Sequence, residues 1–200
     1  SLKRVQKSGA RFDEKRLLWL NGAHIRNVPV DRLYDYVSPR DDNPQKDGGQ
    51  TGFWPKSAYA PNITKEYRMK VLALAQDRLK IFEDLRGFGY FFAEPEVNLE
   101  LIDGNKQLKK LSDSERRELL ETARAEFANL ADWTPESIQN CLNKLLETTG
   151  QKPGILFSLI RVAVTWAPFS PQLNDTLALI GRERTLKRFQ KYLDIKDKLQ

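Results

Sequence analysis

Two hundred residues are enough to bury a real core in one large domain or two small ones. A hydrophobic fraction of 40% and a charged fraction of 30% fit a helix-rich globular chain and exclude a low-complexity one. No apolar run approaches the ~20 residues that cross a bilayer, and the single cysteine, Cys141, excludes an internal disulfide and suits a reducing compartment.

The net charge of +6 is unevenly placed. Residues 1–26 carry seven Lys/Arg against two acids, residues 151–200 carry nine against four, and the stretch between them is net negative. Two basic ends around an acidic centre suggest a polyanion gripped at two places, whereas a lysine-rich surface that only keeps the protein in solution would give the same count. The chain does not begin with methionine and shows no signal peptide, which reads as an excised fragment.

Residues 1–11 form a basic, glycine-containing lead-in. Ser8 or Asp13 is placed to cap a first helix with Leu17, Leu18, Trp19, Leu20 and Ile25 as its apolar face. His24 is the sole histidine and, without a Cys or His partner, makes no metal site. Lys15 and Arg26, taken alone, read as a solvated face. Val30–Val37 reads as a short helix stopped by Ser38 and Pro39. Residues 39–61 have the glycine and proline content of a long loop, but Phe53, Trp54 and Tyr59 predict that part of it docks on the helices. The next helix is capped by Thr64 and is expected to run to Leu85, with Gly87 and Gly89 ending it. Of the aromatic cluster that follows, Phe91 and Phe92 are read as core.

Glu94 and Pro95 open a second unit. Ser112 and Glu115 have capping-box spacing before a helix bearing Leu119, Leu120, Ala123, Phe127 and Leu130. Thr134 and Pro135 start the next, ended by Gly150. The last fifty residues read as helix, turn, helix, turn, helix: an apolar run from Pro153 that contains Arg161, a break at residues 168–171, a run from Leu173 to Ile180, and a basic amphipathic helix after Gly181. Lys187, Arg188 and Lys191 would form its cationic face. Arg161 has two readings. It is the buried half of an ion pair in a bundle, or it points at an anion or a base edge. No β-pattern persists, so the fold expected is all-α, two packed helical subdomains.

The pattern Ile160 Arg161 Val162 Ala163 Val164 Thr165, then Ser170 Pro171, then Gly181 Arg182 Glu183 Arg184 resembles the end of bacterial-type glutamyl-tRNA synthetases. Near the start, Phe12 to Gly22 is similar to that family's Phe-Asp-x-x-Lys-Leu-x-Trp-x-Asn segment. The resemblance implies an anticodon-binding α-helical cage: residues 1–28 as the tail of the stem-contact region, 29–93 and 94–200 as two helical subdomains, and loop 39–61 as an insertion. It puts Arg78 at the reader of the first anticodon base, and Arg161 and Ser170 at the readers of the middle and third. Thr165, Arg182 and Arg184 are weaker, supporting candidates, and Lys15, Asn21 and Arg26 fall where the tRNA stem is met. The implied partner is tRNA-Glu, bound by a monomer without membrane or DNA. ATP and magnesium would serve a catalytic domain outside this chain, which itself carries no P-loop, no dinucleotide fingerprint and no nucleophile with an identifiable base. The insertion favours a mitochondrial matrix enzyme over one of the bacterial cytoplasm. Two other classes stay open: a helical protein-interaction scaffold, and a helix-turn-helix DNA binder over Leu173–Lys191, whose last helix lacks an Asn or Gln near its start to read bases.

Overall fold

The computed structural model describes residues 13–44 and 51–197. The basic lead-in, with Ser8 and Phe12, and residues 45–50 of the long loop lie outside the described residues. Capping chemistry sets four of the helix starts. Asp13 accepts from Arg16 N at 3.1 Å to open α1 (Glu14–Asn27), and Thr64 accepts from Tyr67 N at 3.2 Å to open α3 (Lys65–Ala75). Ser112 and Glu115 close a reciprocal box at 3.2 and 2.7 Å at the head of α5 (Asp113–Ala128). Thr134, with Pro135 in the first turn, opens α6 (Pro135–Thr149), and Gly150 ends it in the left-handed region at φ 65°. Each such cap is worth ~1 kcal/mol. The remaining helices are α2 (Val30–Val37), the single turn α4 (Glu100–Asp103), α7 (Pro153–Thr165), α8 (Leu173–Ile180) and α9 (Arg182–Asp197). No strand occurs among the described residues, so the chain is all-α.

α2 packs on α3; α5 packs on α6, α7 and α9, α7 also packs on α9, and α8 sits against α3, α6 and α9. One apolar cluster runs through both groups, from Ile25 and Leu33 to Phe189 and Leu193. The junction expected near residue 93 is heavily bridged. The Tyr67 hydroxyl donates to Phe91 O and is within 3.2 Å of Leu179 O, and arginines of α9 take the carbonyls of Tyr90, Phe91 and Ala93.

Two helical expectations are corrected. α3 stops at Ala75, ten residues short of Leu85. Gln76 turns inward to donate to Ile25 O and Val28 O, both at 2.7 Å, and the chain tightens into a 3-10 turn. Leu79 then goes extended with its side chain fully buried, and Asp84 takes the next two backbone N–H groups. Gly87 and Gly89 lie inside a second 3-10 stretch, Phe82–Phe91, instead of ending a helix. On α1, Ile25 is buried, but Leu17, Trp19 and Leu20 are exposed, so that face does not meet the described core.

The long loop docks as its aromatics predict. Trp54 is buried between the Tyr34 and Phe92 rings and donates its indole N–H to Ser38 at 3.0 Å. Gly52 (φ 60°) is required there, since a Cβ would lie 2.3 Å from Val37 O. Asp42 ties the loop down by accepting from Tyr34, Tyr59 and the buried Arg68. Phe91 and Phe92 are core.

Candidate functional site

α7 is buried beyond its exposed first turn, except that Phe157, Ser158 and Arg161 form a half-exposed strip. The helix ends at Trp166, a non-glycine residue in the left-handed region at φ 45°. That conformation costs ~1–2 kcal/mol, offset here by burying the indole and stacking it on Tyr192 at 5.5 Å. The reversal folds residues 167–171 back along α7, and Arg161 Nε donates to Ser170 Oγ at 2.9 Å. The Ser170 hydroxyl in turn donates to Pro171 O at 2.9 Å. Ser170 is therefore buried with its hydroxyl fully engaged, and its observed role is to hold Arg161.

Nothing else holds that guanidinium. Among the described residues Arg161 has no carboxylate partner, and its two Nη groups make no hydrogen bond. Burial lowers its pKa; the Tyr90 phenol opposes that, and the neighbouring Arg78 cation adds to it. Arg78 is exposed and likewise has no carboxylate partner among the described residues. Two cations thus lie near one another with open donors, one exposed and one half-buried, an arrangement that can take an anion or a set of carbonyl acceptors. The Tyr90 hydroxyl is buried there without a hydrogen-bond partner. Phe169, beside Ser170, is half exposed.

The other candidates are placed differently. Thr165 is buried and bonds Arg161 O and Ala167 N, which keeps it in the α7 terminus. Arg182 donates to the carbonyls of Leu130 and Ala131 and lies over the Trp133 ring. Arg184 donates to Phe91 O at 2.8 Å and Tyr90 O at 3.2 Å. Arg188 is a correction. It is not part of a cationic face but 1% exposed, donating to the carbonyls of Val164, Tyr90 and Ala93 and pairing with Glu94. The buried stripe Thr185, Phe189 and Tyr192 passes through position 188 at helical spacing, a signal present in the sequence. Lys187 is exposed, and Lys191 is half-buried and donates to Pro95 O at 3.3 Å. Lys15, Asn21 and Arg26 lie exposed on α1, where Asn21 donates to Lys80 O. No group of His, Cys, Asp and Glu able to hold a metal occurs among the described residues, and no helix among them is long and apolar enough to cross a membrane.

Residues 33–193 match the family model described as an anticodon binding domain. The chain is 31% identical over 189 residues to the glutamate–tRNA ligase of Chloroflexus aurantiacus, covering 94% of this chain and 36% of that protein. It is 32% identical over 202 residues to the glutamate–tRNA ligase of Roseiflexus castenholzii, covering 98% and 36%. The chain thus spans about a third of the length of the curated relatives it matches. A crystal structure of a glutamate tRNA ligase from Elizabethkingia meningosepticum shares the fold, with a TM-score of 0.66 at 23% identity over 97% of this chain and 35% of that one.

Proposed function

The chain belongs to the anticodon-binding-domain family, and from that premise we propose that it is the anticodon-recognition module of a glutamate–tRNA ligase, with tRNA-Glu as its partner. The observation that carries this is the Arg161–Ser170 contact at 2.9 Å, which orients a guanidinium whose Nη donors are open beside a second unpaired cation, Arg78. An unstacked loop base offers its Watson–Crick edge, and pyrimidines offer carbonyl acceptors that suit a fixed arginine fork. Arg161 reads the base edge, Ser170 positions it, and Arg78 supplies a second donor or a phosphate contact. The glutamate activation and transfer reaction belongs to the parent enzyme, whose catalytic region, with its ATP and magnesium, lies outside this chain. The module acts as a monomer. Loop 39–61 is the ground for placing the parent enzyme in the mitochondrial matrix, which subcellular fractionation of the full-length protein tests.

Filter binding of the chain with tRNA-Glu, an unrelated tRNA and duplex DNA at two salt concentrations tests the reading. Retention of tRNA-Glu above the others, falling with salt as counterions are released, is the expected result. Equal retention of all three overturns it.

A further inference from the structure

Phe169 stands at the outward end of a row of aromatic rings. Its ring meets Phe88 edge-to-face with centroids 6.1 Å apart, Phe88 is 6.1 Å from Tyr90, and Tyr90 is 4.7 Å from Phe91. Phe88, Tyr90 and Phe91 are buried, whereas Phe169 keeps 50% of its surface exposed. The ring is thus anchored on one side and open on the other. Its backbone is constrained as well, with Pro168 before it and Pro171 just after the buried Ser170.

What surrounds that ring selects its occupant. Ser170, the adjacent residue, is the one that holds Arg161. Arg86 is exposed beside Gly87, where an added Cβ would come 4.0 Å from the Phe169 ring, so a longer side chain at 87 would grow across it. An open cleft of about 520 Å³ adjoins this side, lined by Arg86, Gly87, Tyr90 and Trp166 and, farther along, by Glu94 and Glu96. Among the described residues the other exposed aromatics are Trp19 on α1 and Tyr36 on α2.

Resting on the anticodon reading, we infer that Phe169 is a stacking platform for an unpaired nucleobase of the anticodon loop, set next to the base edge that Arg161 reads. A flat apolar face flanked by guanidinium groups fits a base on a phosphate backbone better than an apolar peptide, which would leave the cations unpaired. Stacking also divides the labour: the ring fixes the height of a base and is indifferent to its identity, while Arg161 supplies the donors that tell bases apart.

The test uses the 200-residue chain with tRNA-Glu transcripts, intact or carrying an abasic nucleotide at one anticodon position. Phe169→Ala is expected to weaken binding of intact tRNA-Glu roughly ten- to hundredfold. Phe169→Trp should retain binding, and Phe169→Leu, which keeps the packing on Phe88, should fall close to the alanine variant. On the transcript lacking the stacked base, Phe169→Ala should have no further effect. Unchanged binding by Phe169→Ala, full binding by Phe169→Leu, or an equal loss on all three abasic transcripts overturns the platform and leaves the anticodon reading standing. Failure of the unmutated chain to prefer tRNA-Glu over duplex DNA overturns both.

Discussion

Arg161 on α7 and Arg188 on α9 come from the same basic last quarter of the sequence and end in opposite circumstances. Arg188 is 1% exposed, and its guanidinium is met on every side, by three backbone carbonyls and the Glu94 carboxylate. Arg161 is half-buried and has one hydrogen bond, to a serine hydroxyl, with its Nη groups open. A charge taken out of water must find its compensation inside the protein or outside it. Arg188 finds it inside, by tying the Tyr90–Glu94 strip to α7 and α9. Arg161 lacks it, which is what a group kept for a ligand looks like. Similar residues in similar apolar surroundings are thus separated into scaffold and site by what their remaining donors meet.

The sharpest way to break this contrast is to remove each guanidinium in turn. Arg188→Met keeps the aliphatic stem but takes the guanidinium from Val164 O and Ala93 O and leaves Tyr90 O and the Glu94 carboxylate with Arg184 alone. Urea unfolding is expected to show a loss of ~3–5 kcal/mol, with tRNA binding retained by whatever remains folded. Arg161→Ala is expected to shift stability by under ~1 kcal/mol, since the one charge-assisted hydrogen bond that is lost is offset by removing a half-buried cation without a carboxylate partner, and Ser170 keeps its bond to Pro171 O. Its binding to tRNA-Glu should weaken by ~1–3 kcal/mol, with discrimination against substituted anticodons shrinking in parallel. If Arg188→Met unfolds like the parent chain, or Arg161→Ala melts many degrees lower with discrimination intact, the assignment of the two arginines is reversed.

Glu94 sharpens the scaffold half of the comparison. Burial alone would raise its pKa, but the Arg188 hydrogen bond and charge, with Arg184 and Lys187 behind, outweigh that and hold the carboxyl below its ordinary value. A carboxylate so held contributes stability above the unfolded pKa of about 4.3, and that contribution is lost as pH falls through the lower folded-state value. Glu94→Gln should therefore be less stable than the parent chain at pH 7, by under ~1 kcal/mol because Glu94 is partly exposed. The gap should close on acidification below about pH 4. A gap that stays constant from pH 7 to pH 3 in urea titrations would mean that Arg188 relies on its carbonyls alone.

What could be read in the sequence was whatever is settled locally. Ser112 with Glu115, Thr134 with Pro135, and Gly150 act within one turn, and each does what its spacing predicts. The Arg161–Ser170 contact was legible for a related reason: a proline-bounded turn nine residues on has few ways to return. The end of α3 was not legible, because it is decided by Gln76 reaching carbonyls about fifty residues earlier. The exposure of Leu17, Trp19 and Leu20 was missed because an amphipathic period says which residues share a face, not whether anything meets it. Phe169 gave no signal, since an aromatic in a turn is as often buried as exposed. Arg188 did give one, and counting cations along α9 obscured it.

The smallest expected effect concerns Lys187 and Lys191, which remain of the cationic face once Arg188 is withdrawn from it. Lys187 is exposed and contributes to the field on Glu94, and Lys191 donates to Pro95 O, so both cations are partly compensated at home. A flexible ammonium in that position can still attract phosphates, but it carries no base information. The double variant Lys187→Ala, Lys191→Ala should weaken cognate and non-cognate tRNA alike, by less than the Arg161→Ala loss. If both cations lie along the RNA backbone, the slope of log K against log salt should become shallower by about 1.4, two contacts at the single-strand value. Titrations of both tRNAs at several salt concentrations measure this directly. A loss confined to tRNA-Glu, with the slope unchanged, would place base recognition on α9. The division between a scaffold arginine and a reading arginine would then fail, because the reading would be done on the helix that Arg188 anchors.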